Sequence, residues 1–204
     1  MEIAAVIPAF VTLFVVIDPV GLAPLFVALT QGATDSERRA IGLRACLIAA
    51  AILTVFGLAG EAVLGFLGIS MPAFRIAGGL LLFLTALDML FERRTKRRGD
   101  QQAQDDDPSV FPLAIPLISG PGAIATMILL TTQDGTDWVW IAAVHAVMLS
   151  VLLVSFLFFL AAGPIERALG STGITVVTRL LGMLLAALSV QFVLDGLTAL
   201  GTLA

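Results

Sequence analysis

Asp18 stands in the middle of an apolar run covering residues 3 to about 29, inside the stretch "IDPVGLAP" that also holds Pro19, Gly21 and Pro24. A second such stretch, "LISGPGAI", brings Ser119, Gly120, Pro121 and Gly122 into another apolar run. An interior proline costs a helix about 3 kcal/mol or more and deprives a carbonyl of its partner, and a glycine adds about 1 kcal/mol. The chemistry open to such breaks is recognition. N–H groups at the start of a half-helix carry the positive end of its dipole and can hold a carboxylate, and glycine lets a ligand approach the backbone. An ionised aspartate near the centre of a membrane helix costs about 2.5–3.5 kcal/mol, so Asp18 is expected to face the protein interior or a wet cavity. It can cap the half-helix that restarts after it, or serve as a coupling site for H+ or Na+, and the two roles are compatible.

The remaining reactive side chains carry less. Asp88 and Asp195 lie nearer helix ends and are expected to reach an interface. His145 has no Cys, Asp or Glu at ligand spacing and reads as a packed or hydrogen-bonded residue, not a metal ligand. Cys46 is the only cysteine, which excludes an intrachain disulfide, and it reads as a small core residue. With no phosphate loop, no paired carboxylates and no serine in a nucleophile elbow, the expectation is a protein that is not an enzyme and uses no cofactor.

The elements that must position these residues are set by the solvent. At 59% hydrophobic and 13% charged residues, with a mean hydropathy of +1.05, 204 residues cannot hide their apolar surface in one soluble core. A spanning helix needs about 20 mostly apolar residues, and six stretches qualify: about 3 to 30, 42 to 66, 72 to 91, 111 to 132, 138 to 162 and 174 to 200. A β-barrel would need alternating segments, whereas "VMLSVLLVSFLFFLAAG" is continuously apolar. The first stretch has no basic residue before it and is too long for a signal h-region, so it is expected to stay as a helix.

Charge gives the orientation. Arg38, Arg39 and Arg44 fall between the first two stretches, and five basic residues from Arg93 to Arg98 fall between the third and fourth, while "QDGTDW" has none. By the positive-inside rule both termini face outward. These runs are read as a topology signal and not as a nucleic-acid or lipid-head-group site. The polar segment 93–109, with three consecutive aspartates, reads as a solvated cytoplasmic linker between a first unit, 1–92, and a second, 110–204.

The two units resemble each other. "RIAGGLLLFLT" aligns with "RLLGMLLAALS", pairing Arg75 with Arg179, Gly78 with Gly182 and Thr85 with Ser189. "IDPVGLAP" matches "LISGPGAI" in position, with Pro19 opposite Pro121 and Thr30–Gln31 opposite Thr132–Gln133. Three helices per unit is an odd number, so the second unit must be inverted. The expected fold is an all-α membrane protein of six transmembrane helices, a 3+3 inverted-topology repeat with helices 1 and 4 broken. Broken backbone at membrane depth is tolerated only inside protein or along a cavity, and paired breaks near the midplane mark the substrate sites of secondary transporters.

"IDPVGLAPLF", "GISMPAFRIAGGLLL" and "PLISGPGAIATMI" resemble the signature segments of the MarC family, also called UPF0056 or NAAT, over essentially the whole chain apart from the linker. The resemblance implies a cytoplasmic-membrane protein of a bacterium or archaeon. It also implies transport of small neutral amino acids such as glycine and alanine, with H+ or Na+ coupling, and an association with antibiotic resistance carried by the family name. An efflux protein, a channel for other small solutes and a non-transport membrane protein are the alternatives. The family pattern has Asp or Asn at the position of Asp18. Carried over residue by residue, the substrate-binding set is Asp18, Pro19, Gly21 and Pro24 with Ser119, Gly120, Pro121 and Gly122. The expected partners are a small-molecule substrate and the lipid bilayer.

Overall fold

The structure, a computed structural model, describes residues 3–91, 107–132 and 137–201. Eight helices account for almost all of them: α1 Ile3–Ile17, α2 Pro19–Leu29, α3 Asp35–Phe66, α4 Met71–Leu90, α5 Ser109–Ile118, α6 Pro121–Thr131, α7 Trp138–Leu160 and α8 Ala162–Ala199. Five spans are long and apolar enough to cross a membrane, or six when the pair α5 and α6, bent by 55°, is counted as one. Most of the linker 93–109, with the basic residues 93–98, lies outside the described residues, as do 133–136 of "QDGTDW".

Local chemistry sets the boundaries. The second span starts at Asp35, not 42, because Thr34 and Glu37 form a capping box: the Thr34 hydroxyl accepts from the Glu37 N–H, and the Glu37 carboxylate accepts from the Thr34 N–H at 2.7 Å. The sixth span, Thr172–Ala199, lies within two residues of the expected start, and a preceding helical segment from Ala162 is separated from it by a kink at Gly170, whose φ of 63° and ψ of 173° suit glycine alone. The stretch 3–30 is two helices meeting at Asp18, and the stretch 111–132 is two helices meeting at Ser119 and Gly120. Helix α5 starts at Ser109, so the end of the expected linker is structured.

The centre of the molecule is built from the two divided stretches. Leu13 and Ile17 of α1, Leu22 of α2, Leu113 and Ile118 of α5, and Met127 of α6 are fully buried. In α6 every residue from Gly122 to Thr131 is buried except the half-buried Ile124, as expected of a helix apolar on all sides. The long helices enclose this centre and present Leu47, Val55, Leu153, Leu157 and Leu184 outward. Outside water such a surface faces lipid, where no hydrophobic force drives helices together and close backbone approach takes over. Helices α4 and α8 make the most extensive contact. There a β-carbon on Gly79 would lie 2.7 Å from the Ser189 carbonyl oxygen, and one on Gly196 would lie 3.0 Å from that of Pro72.

Candidate functional site

Asp18 sits between α1 and α2 with φ 56° and ψ 64°, a left-handed conformation in which Asp and Asn are the non-glycine residues least penalised. It is 1% exposed. Its N–H donates to the Phe14 carbonyl at 2.9 Å, its own carbonyl accepts from the Leu22 N–H at 3.0 Å, and its carboxylate accepts from the Gly21 N–H at 3.0 Å. Pro19 takes the first helical position of α2, where its missing N–H costs nothing. A β-carbon on Gly21 would lie 2.9 Å from the Asp18 carboxyl carbon, so that glycine is there to admit the Asp18 side chain. Pro24 lies inside α2, beyond the junction.

The second junction is built differently. Phe111 and Ile115 have extended backbone (φ −127°, ψ 127° and φ −126°, ψ 123°) because each precedes a proline, which disfavours the helical conformation. The turns around them widen, and the Ser119 N–H and hydroxyl both donate to the Ala114 carbonyl, at 2.9 and 2.7 Å. Gly120 is extended (φ −72°, ψ 171°), and a β-carbon there would lie 2.6 Å from the Pro116 carbonyl oxygen. Pro121 then opens α6, again at the first position, and no side chain caps this helix. The contrast with α2 is chemical: a carboxylate of the chain itself occupies the start of α2, and none occupies the start of α6.

The two junctions are neighbours. A β-carbon on Gly122 would lie 3.6 Å from Val16 Cγ1, 3.2 Å from Leu82 Cδ2 and 3.4 Å from Thr85 Oγ1. Val16 is two residues before Asp18, and Gly122 is two after Gly120. One turn further along the same face of α6 lies Thr126, which is fully buried and whose hydroxyl has no hydrogen-bond partner. The sequence reading passed over Thr126. Its signal was a hydroxyl four residues after Gly122 in a helix otherwise almost wholly apolar.

Elsewhere, His145 lies half-buried with Nδ1 2.8 Å from the Ile141 carbonyl oxygen, beside Gly57. Cys46 is buried with its sulfur 3.7 Å from the Leu152 carbonyl oxygen. Asp195 accepts from Gln191 Nε2 at 2.7 Å. Among the described residues no three His, Cys, Asp or Glu side chains group together as metal ligands would. Arg44 of α3 is paired with Asp107, which places the starts of α3 and α5 on one face of the molecule. Hydrogen bonds from the Ser109 hydroxyl and N–H hold the Asp107 carboxyl below its usual range, and Arg44 acts in the same direction.

Comparison with known proteins agrees with a multi-pass membrane architecture. The model of the MarC family integral membrane proteins matches residues 3–200. The chain is 40% identical over 195 residues to a UPF0056 membrane protein of Archaeoglobus fulgidus, covering 93% of this chain and 90% of the relative. It is 37% identical over 196 residues to one of Aquifex aeolicus (94% and 91%), and 35% identical over 203 residues to UPF0056 membrane protein YvbG of Bacillus subtilis (97% and 96%). No solved structure matches significantly. With the family match running almost end to end, this chain belongs to the MarC family of integral membrane proteins.

Proposed function

We propose that the protein is a secondary transporter of small neutral amino acids or similar small metabolites, with the substrate carboxylate held at the start of α6 where it meets the end of α1. The observation that carries this reading is the uncapped start of α6 at Gly120, Pro121 and Gly122 beside Val16, with the unpartnered Thr126 hydroxyl one turn away. Helix-start amides bind anions, and a buried hydroxyl without a partner calls for an occupant that supplies one. Ser119 and the prolines shape this junction. Asp18, Pro19 and Gly21 form its counterpart, in which the chain supplies its own carboxylate, and Pro24 lies on the helix that follows.

The packing supports a 3+3 inverted repeat, in which stretches 1 and 4 are divided helices. Exchanging the halves pairs α1 and α2 with α5 and α6, α3 with α7, and α4 with α8. Under that exchange the contacts of α4 with α8 and of α3 with α7 map onto themselves. Those of α3 with α5 and α6 map onto those of α7 with α1 and α2. The orientation in the cytoplasmic membrane, termini outside, is supported by Arg38, Arg39 and Arg44 at one end and the exposed Trp138 at the other, since Trp concentrates at membrane interfaces.

Purified protein in proteoliposomes is to be assayed for uptake and efflux of labelled glycine, alanine and serine, with and without H+ and Na+ gradients. Saturable movement of these and not of their amides supports the reading. Failure of every amino acid to move or bind, with protein that is folded, contradicts it.

A further inference from the structure

The face that carries Arg38, Arg39 and Arg44 holds a recess that the transport reading does not use. Its volume is about 270 Å3, and it lies between the end of α2, the start of α3 and the elbow where α7 passes into α8. Arg38 and Arg39 line it together with Asp35, and Phe26 and Phe159 close its inner wall, stacked with centroids 4.6 Å apart. Among the described lining residues, two guanidinium groups stand against one carboxylate. The Nε of Arg38 is buried and has no hydrogen-bond partner. Ala162 and Gly163, where α7 passes into α8, form part of the lining.

A recess of this kind is suited to a tetrahedral oxyanion. Guanidinium presents its donors in a planar fork that fits two phosphate oxygens, and an occupant at Arg38 Nε would supply the acceptor that this buried N–H lacks. A carboxylate would also be attracted, but a single guanidinium fork takes up both its oxygens, whereas a phosphate ester keeps acceptor oxygens for a second arginine. Of the apolar lining, Phe26 and Phe159 are buried and Leu160 is exposed, so a greasy body joined to a charged head would leave the recess over Leu160. We propose that this recess binds a phosphate ester, its donors being Arg38 and Arg39. The source is either the headgroup of an anionic phospholipid or a soluble phosphate ester.

The test uses the full chain in nanodiscs. Wild type is compared in phosphatidylcholine alone and in phosphatidylcholine with phosphatidylglycerol, and glycerol phosphate is titrated into the phosphatidylcholine discs. Thermal stability and retained lipid by native mass spectrometry are the readouts, and Arg38→Gln, Arg39→Gln and the control Arg44→Gln are run in parallel. Retention of phosphatidylglycerol about tenfold weaker in either of the first two variants, but unchanged in Arg44→Gln, supports a lipid source. Stabilisation by glycerol phosphate that Arg38→Gln abolishes supports a soluble one. Equal retention in all variants with no response to glycerol phosphate overturns the proposal. Should Arg38→Gln fail to fold, a photoactivatable phosphatidylglycerol on wild type replaces it. Crosslinks to the peptides carrying Phe26 or Arg38 support the recess, and crosslinks only elsewhere overturn it.

Discussion

Gly122 at the start of α6 lies against Val16 at the end of α1, close enough that a β-carbon on the glycine would stand 3.6 Å from Val16 Cγ1. Two chain segments separated by about half the sequence therefore place their junction residues side by side in the centre of the molecule. Each junction is opened by a proline at the first helical position, Pro19 and Pro121. They differ in who caps the helix that follows: the Asp18 carboxylate caps α2, and no side chain caps α6.

Thr126→Val separates structure from function. Removing a buried hydroxyl that has no partner leaves stability unchanged or raises it by up to about 1 kcal/mol. If that hydroxyl contacts the bound carboxylate, alanine affinity falls about tenfold, one charge-assisted hydrogen bond. Denaturation in detergent and calorimetric titration of the same sample give both numbers. Unchanged affinity removes Thr126 from the site.

Replacements of Asp18 sort its two contributions. Asp18→Ala loses left-handed tolerance, about 1–2 kcal/mol, and the cap on Gly21, about 1 kcal/mol, for a total near 2–3 kcal/mol. Asp18→Asn keeps both and is expected to cost less than about 1 kcal/mol. Gradient dependence of flux in Asp18→Asn then reads coupling separately from folding. An alanine variant as stable as wild type would contradict the capping account.

The contact between α4 and α8 is sensitive to a single methyl group. Gly79→Ala places a carbon 2.7 Å from the Ser189 carbonyl oxygen, and overpacking of this kind costs about 1–3 kcal/mol. At Gly65 no atom lies within 4 Å of the new carbon, so Gly65→Ala gains up to about 0.5 kcal/mol from helix propensity. The opposite signs are measured by thermal unfolding, and a loss at both positions would contradict the assigned packing.

Orientation is tested by labelling single cysteines in a Cys46→Ser background. Gln31→Cys, in the turn before α3, should react with an impermeant reagent only after the membrane is opened. Ile69→Cys, between α3 and α4, should react from outside in intact cells. The reverse pattern inverts the topology.

Much of this architecture was readable from composition, because six apolar stretches and their flanking arginines are one-dimensional signals. The two segments in which stretches 1 and 4 divide were readable as well, from their prolines and glycines, but the way each division is built was not. The cap that the Asp18 carboxylate places on the Gly21 N–H follows from its place before the restarting helix, but the left-handed backbone of Asp18 is not revealed by spacing. In α5 the signal was present and under-used, since Phe111 and Ile115 are extended for the local reason that Pro112 and Pro116 follow them. The same holds for α3, whose start is spelled by Thr34 and Glu37 as a capping box. Gly120 and Gly122 stood out as glycines, but what makes each necessary, the Pro116 carbonyl for one and Val16, Leu82 and Thr85 for the other, is tertiary. Thr126 showed in the sequence only as a hydroxyl in an apolar helix; that it is orphaned is settled once its neighbours are in place.

The central claim is that the uncapped start of α6 holds a small amino acid by its carboxylate. Amide NMR on protein labelled with nitrogen-15 in glycine and alanine, titrated with L-alanine and separately with L-alaninamide, tests it most directly. The account predicts saturable shifts at Gly122 and Ala123 with alanine and none with the amide, while Gly65 and Gly201 stay still. If alanine binds and leaves the Gly122 and Ala123 amides unmoved, the site lies elsewhere and the two junctions serve only the packing of the core.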